Sequence, residues 1–460
     1  MTLLIRCLFC ALLLPLAAEV RALESTERFA EAYDLIYQIR DVASAASSKS
    51  AIGSGFQVSA DGLIVTNYHV VSSYVSAPSS RNLEYLARDG STGALTLVDF
   101  DVINDLALLA RSSADRAGAA AEGDAVAIDA IAGAEADADT TPAMAAAVEV
   151  LAAPERRYFE ISRSAPEQGE IIYAIGNPHD LGMTLVFGAS NGLVEHSFTP
   201  QILFSGSLNP GMSGGPGLNE AGEVVGVNVA TAGSQLSFLV PAAAVSALLN
   251  RERRLEPEQF DAEIAMQLKA WQQERYDDLL ARDWRRQPMG DFQVPGEIRE
   301  DIQCWGSSNE SDEDARMEQL QMSCDAGNRV FLGARLNTGQ IHFSFGQQRS
   351  LKLSGMRFHK LIGGTRLQAD NRAGKEDVTA YRCNSEFLEL ADAGTAADSY
   401  RRGIYCVRAY KKLQGLFDVL FLGEEHGHLD AFSAHFTLAG VEATTAQRFL
   451  TRFLESIGWN

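Results

Sequence analysis

Gly211-Met212-Ser213-Gly214-Gly215-Pro216 constrains this chain more than any other stretch. Three glycines around one serine, closed by a proline, will not continue a helix. Glycine reaches left-handed and strained conformations that other residues avoid, and it admits another backbone or a ligand at close range. Ser213 is therefore set on a tight turn with open space beside its hydroxyl. A hydroxyl is a poor nucleophile until a neighbouring base takes its proton. The N–H groups of Gly211 and Ser213 are placed to converge on one spot, where an oxyanion would be stabilised.

The same letters fit G-x-S-x-G, the strand–serine–helix elbow of α/β-hydrolases. Two observations oppose that parse. An elbow leads into a helix, but Gly215-Pro216-Gly217 starts helices poorly and Glu223–Val229 reads as a strand. An elbow serine also precedes its acid and its histidine in the chain. Here the strong candidates for both come first.

Those candidates are His69 and Asp105. Gly53-Ser54-Gly55-Phe56-Gln57-Val58 runs through Ser59-Ala60-Asp61-Gly62 into Leu63-Ile64-Val65-Thr66-Asn67-Tyr68-His69-Val70-Val71. Two β-rich runs joined by a short Asp-Gly turn read as a hairpin. His69 sits just past its second strand, where a loop presents it. A lone histidine is ordinarily a packing or surface residue, so His69 gains meaning only from its company. Asp105 opens the apolar run Leu106-Ala107-Leu108-Leu109, where a partly buried carboxylate can orient an imidazole. Asp99 and Asp101 are rival acids on the same stretch.

Taken together, these residues resemble the trypsin-like fold and, within it, the HtrA (Deg) type of serine protease. The resemblance rests on the Gly-Ser-Gly-Phe strand, Thr66-Asn67-Tyr68-His69-Val70-Val71, Asn104-Asp105-Leu106-Ala107-Leu108-Leu109, Ala174-Ile175-Gly176-Asn177-Pro178, the Ser213 hexamer and Ser237-Phe238-Leu239-Val240-Pro241. It spans roughly residues 36 to 250. It implies an all-β double barrel with His69, Asp105 and Ser213 as a triad, and Gly211 and Ser213 as the oxyanion hole. It also places Leu208, Ser237 and Phe238 around the substrate side-chain pocket. No acidic residue occupies Ser207–Met212, so small or medium aliphatic side chains are expected there. The family usually has Asn where Met212 stands, and Phe-Gly where His179-Asp180 stand, which bears on the loops near the cleft. The family commonly carries a PDZ domain after the protease. No PDZ carboxylate-binding loop is recognisable here.

The chain has 460 residues, a net charge of −21 and 46% hydrophobic residues. That length suits two or three domains with sizeable cores. The acidity argues against nucleic acid, which is bound through basic patches. Residues 1–22 read as a signal peptide: Arg6, the apolar run Cys7–Ala18, then Val20-Arg21-Ala22 at a cleavage site before Leu23. That run is too short for a membrane span. The expectation is a periplasmic or secreted protein with no stable span after cleavage.

Cleavage leaves Cys304, Cys324, Cys383 and Cys406. Four cysteines in an exported chain read as two disulfides, with three pairings open. The local pairs Cys304–Cys324 and Cys383–Cys406 are favoured, because each closes a short loop and the crossed pairs would tie distant segments. No C-x-x-C pair points to zinc.

Residues 23–250 are thus expected as the protease domain. It is interrupted at 112–153 by an Ala- and acid-rich insertion with too few large apolar residues to order itself, save a short helix around Ala143–Leu151. A helix is expected at Thr26–Leu35. Residues 251–288 read as a charged linker and an amphipathic helix bearing Phe260, Ile264, Leu268 and Trp271 on one face. That face is expected to pack on a core, with a homo-oligomer contact as the alternative. Residues 289–460 read as a separate α+β accessory domain. Its strands are expected at Val330–Leu336, Gln340–Phe345, Leu351–Leu353, Gly403–Ala409 and Phe417–Leu422, with a final helix at Thr445–Ile457. Glu424, Glu425, His426, His428 and His435 form a loose group that reads as a solvated turn rather than a metal site. The whole points to an exported serine endopeptidase acting on unfolded or extended polypeptides, with no metal or cofactor. The alternative is a binding or chaperone-like protein that keeps the fold without catalysis.

Overall fold

The structure is a computed structural model. It describes residues 32–44, 48–112, 158–178, 181–233, 236–362, 372–388 and 400–458. The expected signal peptide, most of the expected Thr26–Leu35 helix, nearly all of the expected 112–153 insertion with its short helix, and the His179-Asp180 pair lie outside the described residues. The chain divides into two compact units. One comprises Met1–Asp101, Asp105–Leu193 and Gln201–Leu255. The other comprises Val102–Asn104, Val194–Pro200 and Glu256–Asn460.

The first unit is two closed barrels. β1 (Ile36–Ala43), β2 (Ser48–Gln57), β3 (Leu63–Thr66), α1 (Tyr68–Ser76), β4 (Arg81–Leu86), β5 (Thr92–Asp101) and β6 (Leu106–Arg111) build the first. Its strand order is β1-β2-β3-β6-β5-β4. β7 (Ile171–Gly176), β8 (Thr184–Leu193), β9 (Ile202–Phe204), β10 (Pro216–Leu218), β11 (Val224–Gly233) and β12 (Leu236–Pro241) build the second, and α2 (Ala242–Leu249) follows. Its order is β10-β11-β12-β9-β8-β7. The ladders are antiparallel, as hairpin-sized connections allow.

Burial explains why β3 and β6 read as unbroken apolar runs. Val65, Leu106 and Leu108 join Phe56, Val224, Val227, Val240 and Val245 in one cluster shared by the two barrels and α2. Ile64, Ala107 and Leu109 take the other face and are equally buried. A strand covered on both faces has no polar side to alternate with. The β2–β3 turn depends on Gly62, whose φ of 85° is left-handed and whose N–H donates to Ser59 O at 3.2 Å.

The charged stretch after α2 lies on the first barrel rather than free of it. Arg253 reaches Asp99 through Nε at 2.9 Å and Nη2 at 3.0 Å. Arg251 Nη2 donates to Asp101 Oδ2 at 2.8 Å, and Leu255 N–H to Val98 O at 2.8 Å.

The second unit opens with α3 (Phe260–Ala281), β13 (Arg286–Met289) and β14 (Phe292–Pro295). It continues with β15 (Ile302–Ser308), β16 (Met317–Ala326), β17 (Val330–Gly333), β18 (Leu336–Thr338), β19 (Ile341–Ser350) and α4 (Gly355–Ile362). It ends with β20 (Arg382–Leu388), β21 (Tyr400–Ala409), β22 (Phe417–His426), β23 (Asp430–Val441) and α5 (Ala443–Glu455). Seven strands form one sheet in the order β15-β16-β19-β23-β22-β21-β20, while β13–β14 and β17–β18 pair separately. Phe343 and Phe345 of β19 and Phe432, Ala434, Phe436 and Leu438 of β23, two residues apart along each strand, line one face of the sheet and meet Tyr276 and Leu279 of α3. Ala446, Phe449 and Phe453 of α5 sit three and four apart, so they share a helix stripe that lies on the same face.

Two sequence expectations are corrected here. Leu351–Leu353 is a turn, not a strand: the Ser350 hydroxyl accepts the Leu353 N–H at 3.0 Å, closing the chain back on itself after β19. The Glu424–His435 group is not a solvated turn. Glu424, Glu425 and His426 lie in β22 and His435 in β23, with only His428 in the connection.

Disulfides join Cys304 to Cys324 and Cys383 to Cys406, across directly paired residues of β15–β16 and β20–β21. Each ties an edge strand of the sheet to its inner neighbour. Cys324 belongs to the helix-covered core, and Cys406 to a smaller cluster of Ile404, Leu420 and Leu422. The closed loops span 20 and 23 residues. Replacing both cysteines of either pair with Ser should lower the stability of this unit by about 3 kcal/mol in the chain-entropy account, measured by denaturant unfolding of the full chain.

Candidate active site

His69 lies in the first turn of α1, directly after Asn67 ends the extended run from β3 with ψ of 149°. Its Nδ1 is 2.6 Å from Asp105 Oδ2. Its backbone N–H donates to Asp105 Oδ1 at 2.8 Å, so the carboxylate grips ring and backbone together. Asp105 sits between β5 and β6 in the left-handed region, with φ of 54°. That conformation is strained for most residues and least so for Asp and Asn. Its carbonyl accepts the Tyr68 N–H at 3.1 Å and the buried Asn67 Nδ2–H at 2.8 Å. Those bonds hold the unusual backbone.

The electrostatics follow. Burial pushes the His69 imidazolium down from its ordinary 6.5. The adjacent Asp105 charge and hydrogen bond outweigh burial, and the net shift is upward. The rival acids are engaged elsewhere: Asp99 by Arg253 and Asp101 by Arg251. The choice among the three aspartates is therefore made by arginines about 150 residues away in sequence.

Ser213 stands between β9 and β10 in a loop without regular structure. Gly211 and Gly214 have φ of 99° and 84°. A Cβ on Gly214 would lie 2.2 Å from Ser54 O and 2.3 Å from the Thr66 hydroxyl, so this position is closed to any side chain. The loop is held by its neighbours. Gly214 N–H donates to Asn228 O and Asn228 N–H to Gly215 O, each at 2.9 Å, and Ser54 N–H donates to Ser213 O at 2.7 Å. Among the described residues the N–H groups of Gly211 and Ser213 have no partner. The Ser213 hydroxyl donates to Val229 O at 3.2 Å.

Leu208 is buried in the second barrel with Ile172, Phe204 and Leu239. Its N–H donates to the hydroxyl of Ser237, which is fully buried, at 3.2 Å. Phe238 is half-buried on β12. Met212 is fully buried in the same cluster as Leu208, so its side chain faces the barrel core and not the cleft. Among the described residues no group of three or more His, Cys, Asp or Glu is arranged to hold a metal.

The sequence reading did not single out Ser54, Asn67 or Asn228, although each lies inside a stretch it used. The available signal was a polar residue within an apolar or glycine-rich run. A side chain of that kind, once buried, must find a partner.

Residues 53–227 match the family model of the trypsin-like peptidase domain. Serine protease HTRA1 of Xenopus laevis is 29% identical over 201 residues, which cover 42% of this chain and 34% of that protein. Serine protease HTRA3 of Homo sapiens is 27% identical over 206 residues, covering 43% of this chain and 37% of its own. The chain thus spans little more than a third of the length of these relatives. Over a double barrel, residues 53–227 match the trypsin-like peptidase domain and are similar to the HtrA-type serine proteases.

Proposed function

We propose that this chain is a serine endopeptidase of extended or unfolded polypeptides. The observation that carries the reading is the two-point grip of Asp105 on His69, at 2.6 and 2.8 Å, within a trypsin-like peptidase domain. In this mechanism Ser213 Oγ attacks the scissile carbonyl while His69 Nε2 takes its proton. The oxyanion is received by the Gly211 and Ser213 N–H groups. Collapse breaks the C–N bond, and His69 returns the proton to the leaving amine. Water then repeats the sequence on the acyl-enzyme. Asp105 keeps the Nδ1 proton in place and stabilises the imidazolium, without itself taking the proton.

Leu208, Ser237 and Phe238 shape the pocket for the residue before the cut, and its preference is for small or medium aliphatic side chains. The two disulfides fit an oxidising compartment, which supports a periplasmic or secreted location. Among the described residues no helix is long and apolar enough to cross a membrane.

A second reading, a binder without catalysis, is favoured by one observation. The Ser213 hydroxyl donates to Val229 O, so attack requires that it turn toward His69. Catalytic hydrogen bonds in unliganded sites are often formed only with substrate. A serine-directed fluorophosphonate separates the readings: labelling at Ser213 supports the peptidase, and no labelling with or without unfolded substrate supports the binder.

Ser213→Ala should lower kcat on an unfolded protein by a factor on the order of 10^6 with the fold retained; equal cleavage by variant and parent would refute the assignment. The pH profile follows from His69. Only the neutral imidazole accepts a proton, and its pKa is raised, so kcat/KM should fall on acidification through a midpoint above 6.5. Asp105→Asn removes the raising charge. It should move that midpoint to lower pH and cut kcat about 10,000-fold, read from pH-rate profiles. Sequencing the cleavage products of a denatured protein should show Ala, Val or Leu before the cut, and a dominance of Lys or Arg would exclude the proposed pocket.

A further inference from the structure

We propose that Ser54 is a positioning residue that sets the oxyanion loop, reaching it from the first barrel. The inference rests on the peptidase reading and goes beyond the triad. The two residues whose N–H groups would receive the oxyanion are the two whose carbonyls Ser54 holds. Ser54 Oγ donates to Gly211 O at 2.8 Å, and Ser54 N–H donates to Ser213 O at 2.7 Å. The same hydroxyl accepts the Asn177 N–H at 3.0 Å, from the residue that follows β7. The Ser54 carbonyl in turn accepts the Thr66 hydroxyl at 2.7 Å. Every polar atom of Ser54 is thus committed, and the residue is fully buried.

The surrounding peptides show why this matters. The peptide between Gly211 and Met212 is pinned at both ends, by Ser54 at its carbonyl and by Asn209 O at the Met212 N–H, 3.0 Å away. The Met212 carbonyl accepts the Gly215 N–H at 3.1 Å. The Gly214 N–H closes the loop on Asn228 O. The peptide between Pro210 and Gly211, which carries one of the two oxyanion donors, is the least restrained of the series. Glycine at 211, with φ of 99°, leaves it free to rotate. Its orientation is then fixed chiefly by the anchoring of its neighbour to Ser54. The flanking glycines allow the approach: a Cβ on Gly53 would lie 2.5 Å from a Val70 methyl, and one on Gly55 2.8 Å from Ile39. Between them the Ser54 side chain enters the loop.

The step that depends on this geometry is formation of the tetrahedral intermediate. Ser54 touches neither substrate nor proton, so it acts only through Gly211 and Ser213. Removing its hydroxyl takes this partner from the half-buried Gly211 carbonyl and from the buried Asn177 N–H, and lets the Gly211 peptide sample orientations that turn its donor away. Substrate binding before attack, and the His69–Asp105 pair, stay as they were.

The test uses the full chain with Ser54→Ala, Ser54→Cys and Tyr37→Phe. The last removes a buried hydrogen bond of the first barrel, Tyr37 OH to Gln57 Oε1 at 3.0 Å. Ser54→Ala should lower kcat about 10- to 100-fold with KM within about twofold of the parent. A peptide aldehyde, whose adduct places an oxyanion in the hole, should weaken in the same proportion as kcat, and the acidic midpoint of the pH profile should not move. Ser54→Cys, with a weak thiol donor of similar size, should fall between Ala and the parent. It also decides the matter if the Ala variant does not fold. Tyr37→Phe should lower thermal stability and leave kcat unchanged. The assignment is overturned if the Ser54 variants keep parental kcat and aldehyde affinity, if they change KM alone, or if Tyr37→Phe loses kcat equally. A parent that neither cleaves nor labels overturns the peptidase reading, and this assignment with it. A parent that cleaves beside unaffected Ser54 variants overturns this assignment alone.

Discussion

A partly buried loop with no ladder of its own must still pair most of its backbone polar groups, and the serine loop of this protein, the N–H groups of Gly211 and Ser213 aside, does so largely with borrowed partners. Its carbonyls and amides are met by Ser54 from the first barrel and Asn228 from the second. The loop's shape is therefore a property of how the two barrels meet. The same seam is an apolar one, where β3 and β6 are covered on both faces. Packing brings the barrels together, and a handful of directional bonds then decides which way each peptide of the loop faces. Packing alone has no such preference, because it is non-directional.

The fold was readable where side-chain pattern and buried face coincide. β3, β5, β6, β7 and β12 are apolar runs bounded by turn residues. β4 and β10 were not read as strands. Arg81–Leu86 carries Arg, Asn and Glu among its apolar positions, and Pro216–Leu218 is only three residues long and begins with two strand breakers. Both are strands because their neighbours pair with them. In the second unit, β15, β16, β20 and β23 went unread. β15 and β20 carry exposed aromatics, Trp305 and Phe387, among polar residues, and in β23 Phe432, Ala434, Phe436 and Leu438 alternate with Ser433, His435 and Thr437.

At the site, the residue types were readable and the choice among them less so. His69 and Asp105 were named from sequence and lie in contact. Asp99 and Asp101 were rivals to the favoured Asp105, and both are engaged by arginines far along the chain, a pairing that no local pattern reveals. Met212 shows the reverse error. Its place beside the nucleophile suggested an influence on the cleft. Its side chain instead fills the barrel core, so the departure from Asn is a matter of packing behind the loop. Ser54 was legible as part of a strand, but the partners of its hydroxyl lie far along the chain, at Gly211 and Asn177, where no local pattern points.

The placement of the two disulfides has a consequence of a different kind. Each bridges adjacent strands, and together they occupy the two margins of a seven-stranded sheet. A strand at a margin offers its unpaired amides and carbonyls to any extended chain that passes. A peptidase of unfolded polypeptides would work among a high concentration of such chains. The bridges keep the outer strands from peeling away and exposing the next strand in, so reduction would open the margins of this sheet to extended chains that pass.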